Sequence, residues 1–161
     1  MNTTAPHARN LQEEVGKTRP FDLPEQEAYL NLVRTNAVLH SDFDRLFKSF
    51  GISEAKYNAL RIIAAAGTRG IRSETVGQHM VARDPDTTRL IDRLEKAGFV
   101  TRARLPEDRR CVVVSMTDDG KRLLRRVRPR VDALHAEQLG HLSKAELDTL
   151  NALLFKARHS P

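Results

Sequence analysis

The sequence contains one cysteine, no tryptophan and few other aromatic residues. The single thiol, Cys111, excludes an intramolecular disulfide and is typical of a reducing compartment. No segment approaches the roughly 18 consecutive apolar residues of a membrane span, and the first ten residues lack the apolar core of a signal peptide. These absences predict a soluble, cytoplasmic protein with no membrane partner.

The patterns of common catalytic sites are missing as well. The chain has no glycine-rich phosphate loop, no nucleophile elbow and no Cys/His spacing typical of a metal site. The pairs His40/Asp44 and Glu137/His141 have the i, i+4 spacing that places two ligands on one helix face, but chance produces such pairs in a chain with 30% charged residues. The sequence therefore predicts a protein that is not an enzyme and has no cofactor or bound metal.

Positive charge is concentrated in one segment. The formal net charge is +6, and residues 83–130 carry all of it, with 14 Lys and Arg against 8 Asp and Glu. A basic surface confined to one part of a chain is typical of a protein that binds a polyanion. The 161 residues are enough for one domain with its own core.

Helical periodicity predicts a long helix from Pro24 to just before Gly51, and a second helix that begins after the N-cap residue Ser53. Two short helical patterns follow closely, SETVGQHM and DPDTTRLIDRLEKAG. In the second, Asp84 is the predicted N-cap and Pro85 the first helical residue. Two short helices in such quick succession are typical of a helix-turn-helix.

After Phe99 the period changes from helical to extended. The segments FVTRAR and RCVVVSM flank a turn around LPED, which predicts a two-stranded hairpin directly after the helix-turn-helix. Thr117 and Asp118 begin another helix, and a capping box of Ser143 and Glu146 opens the last one.

This order of elements predicts a mainly α protein with a small β-hairpin wing. Residues 51–117 form the predicted winged helix-turn-helix, residues 21–50 and 118–161 form helical dimerisation regions that flank it, and residues 1–20 form a disordered or arm-like tail. The flanking helices have more apolar surface than a complete winged-helix unit needs, so we expect a two-fold homodimer. The alternative is that these faces form the core of one monomer.

A winged helix suits duplex DNA because its second helix fits the major groove and exposes N-terminal side chains to base edges. Arg89 can read guanine through its bidentate fork, and Thr88 can contact a base edge, a thymine methyl group or a phosphate. Asp86 either stabilises the positive end of the helix, which we favour, or accepts a hydrogen bond from cytosine N4. The alternative for the whole face is the ordinary charged side of an amphipathic helix.

The middle of the chain resembles the multiple-antibiotic-resistance regulator (MarR) family of bacterial winged-helix repressors. The stretches TTRLIDRLEKAGFV at residues 87–100 and PEDRRCVVVSMTDDGKRLL at residues 106–124 carry the resemblance, together with the helices around them. It extends from about Asp22 to the end of the chain. Asp108 and Arg110 match the family's wing motif, an Asp, any residue, then an Arg.

The resemblance implies that Thr88 and Arg89 contact the major groove, that Arg110 enters the minor groove while Asp108 holds it, and that Ser73 lies near a phosphate. At Pro85 and Asp86, relatives often carry hydroxyl residues, so the operator sequence does not transfer. The predicted DNA-binding residues are Ser73, Asp86, Thr87, Thr88, Arg89, Arg93, Arg102, Asp108, Arg109 and Arg110.

The resemblance also implies a homodimeric repressor of a pseudo-palindromic operator that a small molecule relieves. Family members bind small, often aromatic or anionic, ligands between the dimerisation helices and the winged-helix unit. Arg34, His40 and Tyr57 are the candidate effector-binding residues, and simple packing is the alternative for the last two. The sequence is also compatible with a winged-helix protein-interaction module, an activator, a metal-responsive regulator, or a redox-responsive regulator that uses Cys111.

The wing motif generates a prediction. Asp108→Ala removes a negative charge near DNA, so electrostatics alone predicts tighter binding. If Asp108 aims Arg110 into a narrow, electronegative minor groove, the same variant weakens binding because the guanidinium loses its orientation. We expect weaker binding in a gel-shift titration at fixed salt. Tighter binding would show that Asp108 is only a repulsive charge.

Overall fold

The computed structural model describes residues 10–82, 86–104 and 111–159. Two compact units divide the chain, Met1–Asp42 and Phe43–Pro161. The elements in chain order are α1 (Leu11–Glu14), α2 (Pro24–Ser49), α3 (Glu54–Ala65), a 3₁₀ turn (Gly67–Arg69), β1 (Ile71–Arg72), α4 (Ser73–His79), α5 (Thr87–Lys96), β2 (Val100–Arg104), β3 (Val112–Met116), α6 (Asp118–Leu139) and α7 (Lys144–Arg158).

The first unit contains a short helix that the sequence did not predict. The Asn10 side chain caps α1 by accepting a hydrogen bond from the Glu13 N–H at 3.0 Å, and Leu11 is buried. Arg34 on α2 pairs with Glu14, with 3.4 Å between Nε and Oε2. Helix α1 lies within the predicted tail; four residues are too few for a hydrophobic period, so only the cap could have indicated it.

The second unit has one continuous apolar core formed by helices and the sheet. The helical pattern of the segment DPDTTRLIDRLEKAG predicts that Leu90, Ile91, Leu94 and Ala97 face inward. The first three are buried there, whereas Ala97, the C-cap residue of α5, is exposed. The largest fully buried side chains are Phe47, Leu60, Ile63, Val76, Ile91, Leu94, Val100, Val114 and Val127.

The sheet has three antiparallel strands in the order β1-β3-β2. The hairpin of β2 and β3 was predicted, and its register places Arg102 opposite Val114. Strand β1 adds a third strand on the other side of β3, where Ile71 lies opposite Val114. Because β1 has only two residues, it shows no alternation of apolar and polar side chains, and the sequence therefore predicted only the hairpin.

Side-chain caps mark most helix starts where the sequence predicted them. Ser53 caps α3 and Thr117 caps α6. Ser143 and Glu146 form the capping box of α7, and hydrogen bonds from the Ser143 hydroxyl and N–H lower the pKa of the Glu146 carboxyl. The prediction for α5 was wrong: its N-cap is Asp86, so the helix begins at Thr87. The predicted cap Asp84, and Pro85 after it, lie outside the described residues.

None of the helices in the described parts of the chain combines the length and the apolar character that crossing a bilayer requires.

The start of α6 is fixed to the junction between α5 and β2. The Thr117 hydroxyl donates to the Gly98 carbonyl at 2.6 Å, and the Gly120 N–H donates to the Thr117 hydroxyl oxygen at 3.1 Å. Gly120 is buried so closely that an added Cβ would clash with the Phe99 carbonyl oxygen and lie 2.8 Å from Met116 Cε. Glycine is therefore required here for space.

This contact predicts the sign of a stability change. Alanine at a helix interior position normally stabilises relative to glycine by roughly 0.5–1 kcal/mol. At Gly120 we expect the opposite, a loss of about 1–3 kcal/mol in the free energy of unfolding, because backbone must move to admit the methyl group. Urea denaturation of Gly120→Ala and wild type at equal protein concentration measures it. A stabilised variant would show that the contact relaxes freely.

Candidate nucleic-acid interface

Helix α5 has one buried face and one exposed face. With Leu90, Ile91 and Leu94 in the core, the 3.6-residue period places the polar side chains on the opposite side. The exposed residues of that side are Thr88, Arg89, Arg93 and Lys96. Three of these four residues are cationic, so the exposed face can attract phosphates and contact base edges.

Asp86 organises the N-terminal end of α5. Its Oδ1 accepts a hydrogen bond from the Arg89 backbone N–H at 3.2 Å, and its Oδ2 lies 3.0 Å from Arg89 Nε. The Arg89 side chain is 75% exposed. Because the ion pair uses Nε, the two terminal nitrogens of the guanidinium are the edge that can meet guanine. This geometry supports the structural interpretation of Asp86 over a contact with cytosine.

Two predicted DNA contacts lie partly inside the winged-helix unit. Thr87 is half-buried, and its Oγ1 would lie 2.8 Å from a Cβ added at Gly77, so α4 approaches α5 closely only because residue 77 is glycine. The Ser73 hydroxyl at the start of α4 donates to the Val112 carbonyl of β3 at 3.4 Å. The Ser73 hydroxyl thus links α4 to β3, Thr87 lies close to Gly77 of α4, and the contacts of both residues with DNA stay predictions.

Asn58 on α3 supports the turn of the helix-turn-helix. Its Oδ1 accepts a hydrogen bond from the Val81 N–H at 2.9 Å, just beyond α4. The Val81 side chain is 91% exposed. Neither residue was predicted from the sequence. Asn58 is one of several polar residues of α3, so neither it nor Val81 carried a signal in the sequence.

Arg102 on β2 lies between two carboxylates of α5. Its backbone N–H donates to Glu95 Oε1 at 3.2 Å, its Nε donates to Glu95 Oε2 at 2.8 Å, and its Nη2 donates to Asp92 Oδ1. The side chain is 26% exposed. Burial lowers the pKa of Arg102, but hydrogen bonds to Asp92 and Glu95 and their charges raise it by more, so that pKa lies above its ordinary value.

The wing contributes the ends of its two strands. Arg104 is exposed at the end of β2, opposite Val112 in the register, and was not singled out by the sequence. The predicted tip residues Asp108, Arg109 and Arg110 lie outside the described residues. Cys111 is partly buried next to β3.

Tyr57, on α3 of the second unit, is a buried tyrosine with an unsatisfied hydroxyl. The side chain is 6% exposed, its ring centroid lies 5.0 Å from that of Phe47, and the Arg61 guanidinium carbon lies 6.0 Å from it. Its hydroxyl has no hydrogen-bond partner among the described residues.

The other two effector candidates lie on α2 in the first unit. Arg34 pairs with Glu14, and His40 is exposed. In the described parts of the chain, no group of three or more His, Cys, Asp or Glu side chains is arranged to hold a metal ion.

Comparison with known proteins gives a consistent result. The model of the MarR family matches residues 52–112. The chain is 39% identical to a MarR transcription factor from Planctomyces limnophilus, covering 84% of this chain and 98% of that one with a TM-score of 0.66.

Two further proteins are more distant in sequence. The transcriptional repressor MprA of Escherichia coli K12 is 28% identical over 142 residues, which are 86% of this chain and 80% of that repressor. BpsR of Bordetella bronchiseptica, whose DNA binding is regulated by 6-hydroxynicotinic acid, is 22% identical and shares the fold with a TM-score of 0.75 over 89% of this chain and 100% of its own.

The pair α4 and α5, the three-stranded sheet after it and the extent of the match to the Planctomyces protein lead to one conclusion. The chain belongs to the MarR family of winged helix-turn-helix transcriptional regulators.

Proposed function

We propose that this protein is a cytoplasmic, homodimeric repressor that binds a pseudo-palindromic operator and releases it when a small aromatic or anionic molecule binds. The observation that carries the proposal is the outer face of α5. There Arg89 is exposed and oriented by Asp86, and Arg93 and Lys96 follow it along the helix. The protein acts by binding, and its specificity resides in side chains that reach base edges.

The mode of DNA reading follows from this helix. The terminal edge of the Arg89 guanidinium pairs with guanine O6 and N7, and the neighbouring Thr88 contacts an adjacent base or phosphate. Two copies of α5, related by a two-fold axis, enter successive major grooves about one helical turn, roughly 10 base pairs, apart. The cations of α5 and of the wing supply the salt-dependent part of the affinity.

The apolar residues that remain exposed support the dimer. Every residue of α7, Lys144–Arg158, is described, and none is buried. In the described parts of the chain, the exposed large apolar side chains belong mainly to residues 15–38 and 150–155. Those within these two ranges are Val15, Leu23, Tyr29, Leu32, Val33, Val38, Leu150, Leu153 and Phe155, and Val81 lies outside them. A second copy of the chain is the partner that buries such surfaces symmetrically.

Tyr57 supports a response to a ligand. A buried hydroxyl without a partner costs roughly 1–3 kcal/mol, and a bound molecule that accepts its hydrogen bond removes this cost. The Phe47 and Tyr57 rings and the Arg61 guanidinium would suit an aromatic ligand with a negative charge. The relatives are consistent with this regulation: MprA is a repressor, and 6-hydroxynicotinic acid, which regulates BpsR, has this chemistry.

The role of Arg89 is directly testable. An operator is first obtained by selecting bound duplexes from a random pool, and binding is then titrated by fluorescence anisotropy. Arg89→Ala should lose about 1–3 kcal/mol of operator affinity per half-site, because one bidentate guanine contact disappears, and discrimination should relax at one position of each half-site.

Arg158→Ala is the matched control, since it removes the same side chain from the exposed last turn of α7. It should bind the operator like wild type. Unchanged operator affinity in Arg89→Ala would contradict the proposal that α5 reads the bases. If wild type binds no duplex even at low salt, the chain functions as a protein-interaction module.

The dimer makes a second prediction. Leu153→Glu should raise the dimer dissociation constant at least about tenfold, because a carboxylate replaces an apolar side chain in a buried interface. Light scattering across a dilution series measures the change. Thr68→Glu adds the same charge to the exposed 3₁₀ turn Gly67–Arg69, outside these apolar surfaces, and should leave the dimer intact. Equal dimer stability in both variants, or a monomeric wild type, would refute the proposed dimer.

A further inference from the structure

Arg102, Glu95 and Asp92 form a cluster that joins the wing to the recognition helix. We refer to these three residues as the clamp. Asp92 and Glu95 are three residues apart on α5 and so share one face of the helix. Arg102 meets both with its side chain, and its backbone N–H also donates to Glu95. A strand residue is therefore tied to the helix through its main chain and its guanidinium.

We propose that Arg102 is a positioning residue: the clamp fixes the wing relative to α5, so that both reach the DNA in one geometry, and Arg102 itself does not touch DNA. The inference rests on the proposed DNA binding. It assigns a different role to a residue that the sequence placed among the DNA contacts.

The charges of the clamp argue against a direct phosphate contact. Two carboxylates face one guanidinium, so the cluster has a formal charge of −1, and it repels phosphates rather than attracting them. To reach a phosphate, Arg102 would have to leave both carboxylates while they remain half-buried at 39% exposure each. Leaving partly buried charges without their partner is costly.

The position of the clamp along the wing explains how it restricts the motion of the hairpin. The hairpin is already fixed at its base, where the Phe99 N–H donates to the Leu94 carbonyl and the Thr117 hydroxyl donates to Gly98. Arg102 is the third of five residues in β2, about 7 Å along the strand from Val100. The clamp therefore adds a second attachment halfway along, which prevents the hairpin from pivoting about its base.

The decisive variant is Glu95→Gln, because electrostatics and positioning predict opposite results. Removing a carboxylate from a DNA-binding unit reduces repulsion and by itself tightens binding. Loss of the Glu95–Arg102 ion pair loosens the clamp and weakens operator binding, and we expect a change of about tenfold, as for a lost charge-assisted hydrogen bond. Glu74→Gln, on the exposed first turn of α4, is the matched control with the same change of charge. It should bind as tightly as wild type or slightly more tightly.

Arg102→Gln separates positioning from direct contact through salt dependence. A lost phosphate contact lowers the slope of log affinity against log salt by about 0.9 per subunit. A positioning residue leaves the slope as it is while operator affinity falls and affinity for random duplex stays the same. The double variant Arg102→Gln/Glu95→Gln should bind no more weakly than either single variant, because all three break the same clamp.

The outcomes are separable. Tighter operator binding in Glu95→Gln, or a lower salt slope in Arg102→Gln, overturns the proposal. If Arg102→Gln does not fold, Glu95→Gln decides, since its amide oxygen can still accept from the Arg102 N–H. If wild type binds no operator, the proposed function fails. Amide hydrogen exchange of β2 then tests the clamp by itself. Faster exchange in Glu95→Gln than in Glu74→Gln supports the clamp, and equal exchange overturns it.

Discussion

The burial of Leu90, Ile91 and Leu94 fixes the rotation of α5 about its axis, and the proposed DNA-binding face depends on that rotation. A helix with this apolar stripe in the core must present its opposite face to solvent. Thr88, Arg89, Arg93 and Lys96 are exposed for this reason. The close approach of α4 at Gly77 and the attachment of α6 at Gly120 hold the helix in place from two sides.

Acidic residues on this basic surface have a common use. Asp86 pairs with Arg89, and Asp92 and Glu95 pair with Arg102. Each pair reduces the net attraction to phosphates and restricts a guanidinium or the strand that bears it. Nonspecific affinity needs only unpaired cations, whereas specificity needs side chains and elements in fixed positions. The acids on α5 therefore weaken the long-range attraction to phosphates, but they fix the orientation of the Arg89 and Arg102 side chains.

Local chemistry explains which parts of the fold were predictable. Periods of 3.6 and 2 residues together with Ser53, Thr117 and Ser143 identified the long helices, the hairpin and their order, and hence the winged helix. Helix α1 and strand β1 were missed because four and two residues are too short for a period. The cap of α5 was misassigned, since Asp84 and Asp86 are chemically equal candidates in sequence. The partners of Arg102 are seven and ten residues away across a strand-helix contact, and no sequence pattern specifies them. The wing-tip roles of Asp108 and Arg110 stay predictions.

The proposed regulation needs a physical link between ligand and DNA, and α3 offers one. Tyr57 belongs to this helix, which packs in the same core as Leu90, Ile91 and Leu94 of α5. Close-packed cores transmit small displacements because they have few voids to absorb them. A ligand that draws the Tyr57 hydroxyl into a hydrogen bond would therefore shift α3 against α5. Linkage then requires reciprocity: a molecule that lowers operator affinity by a given factor must itself bind the DNA-bound protein more weakly by the same factor. Under the proposed regulation, an effector thus binds best to the conformation in which the two α5 helices of the proposed dimer no longer fit successive major grooves.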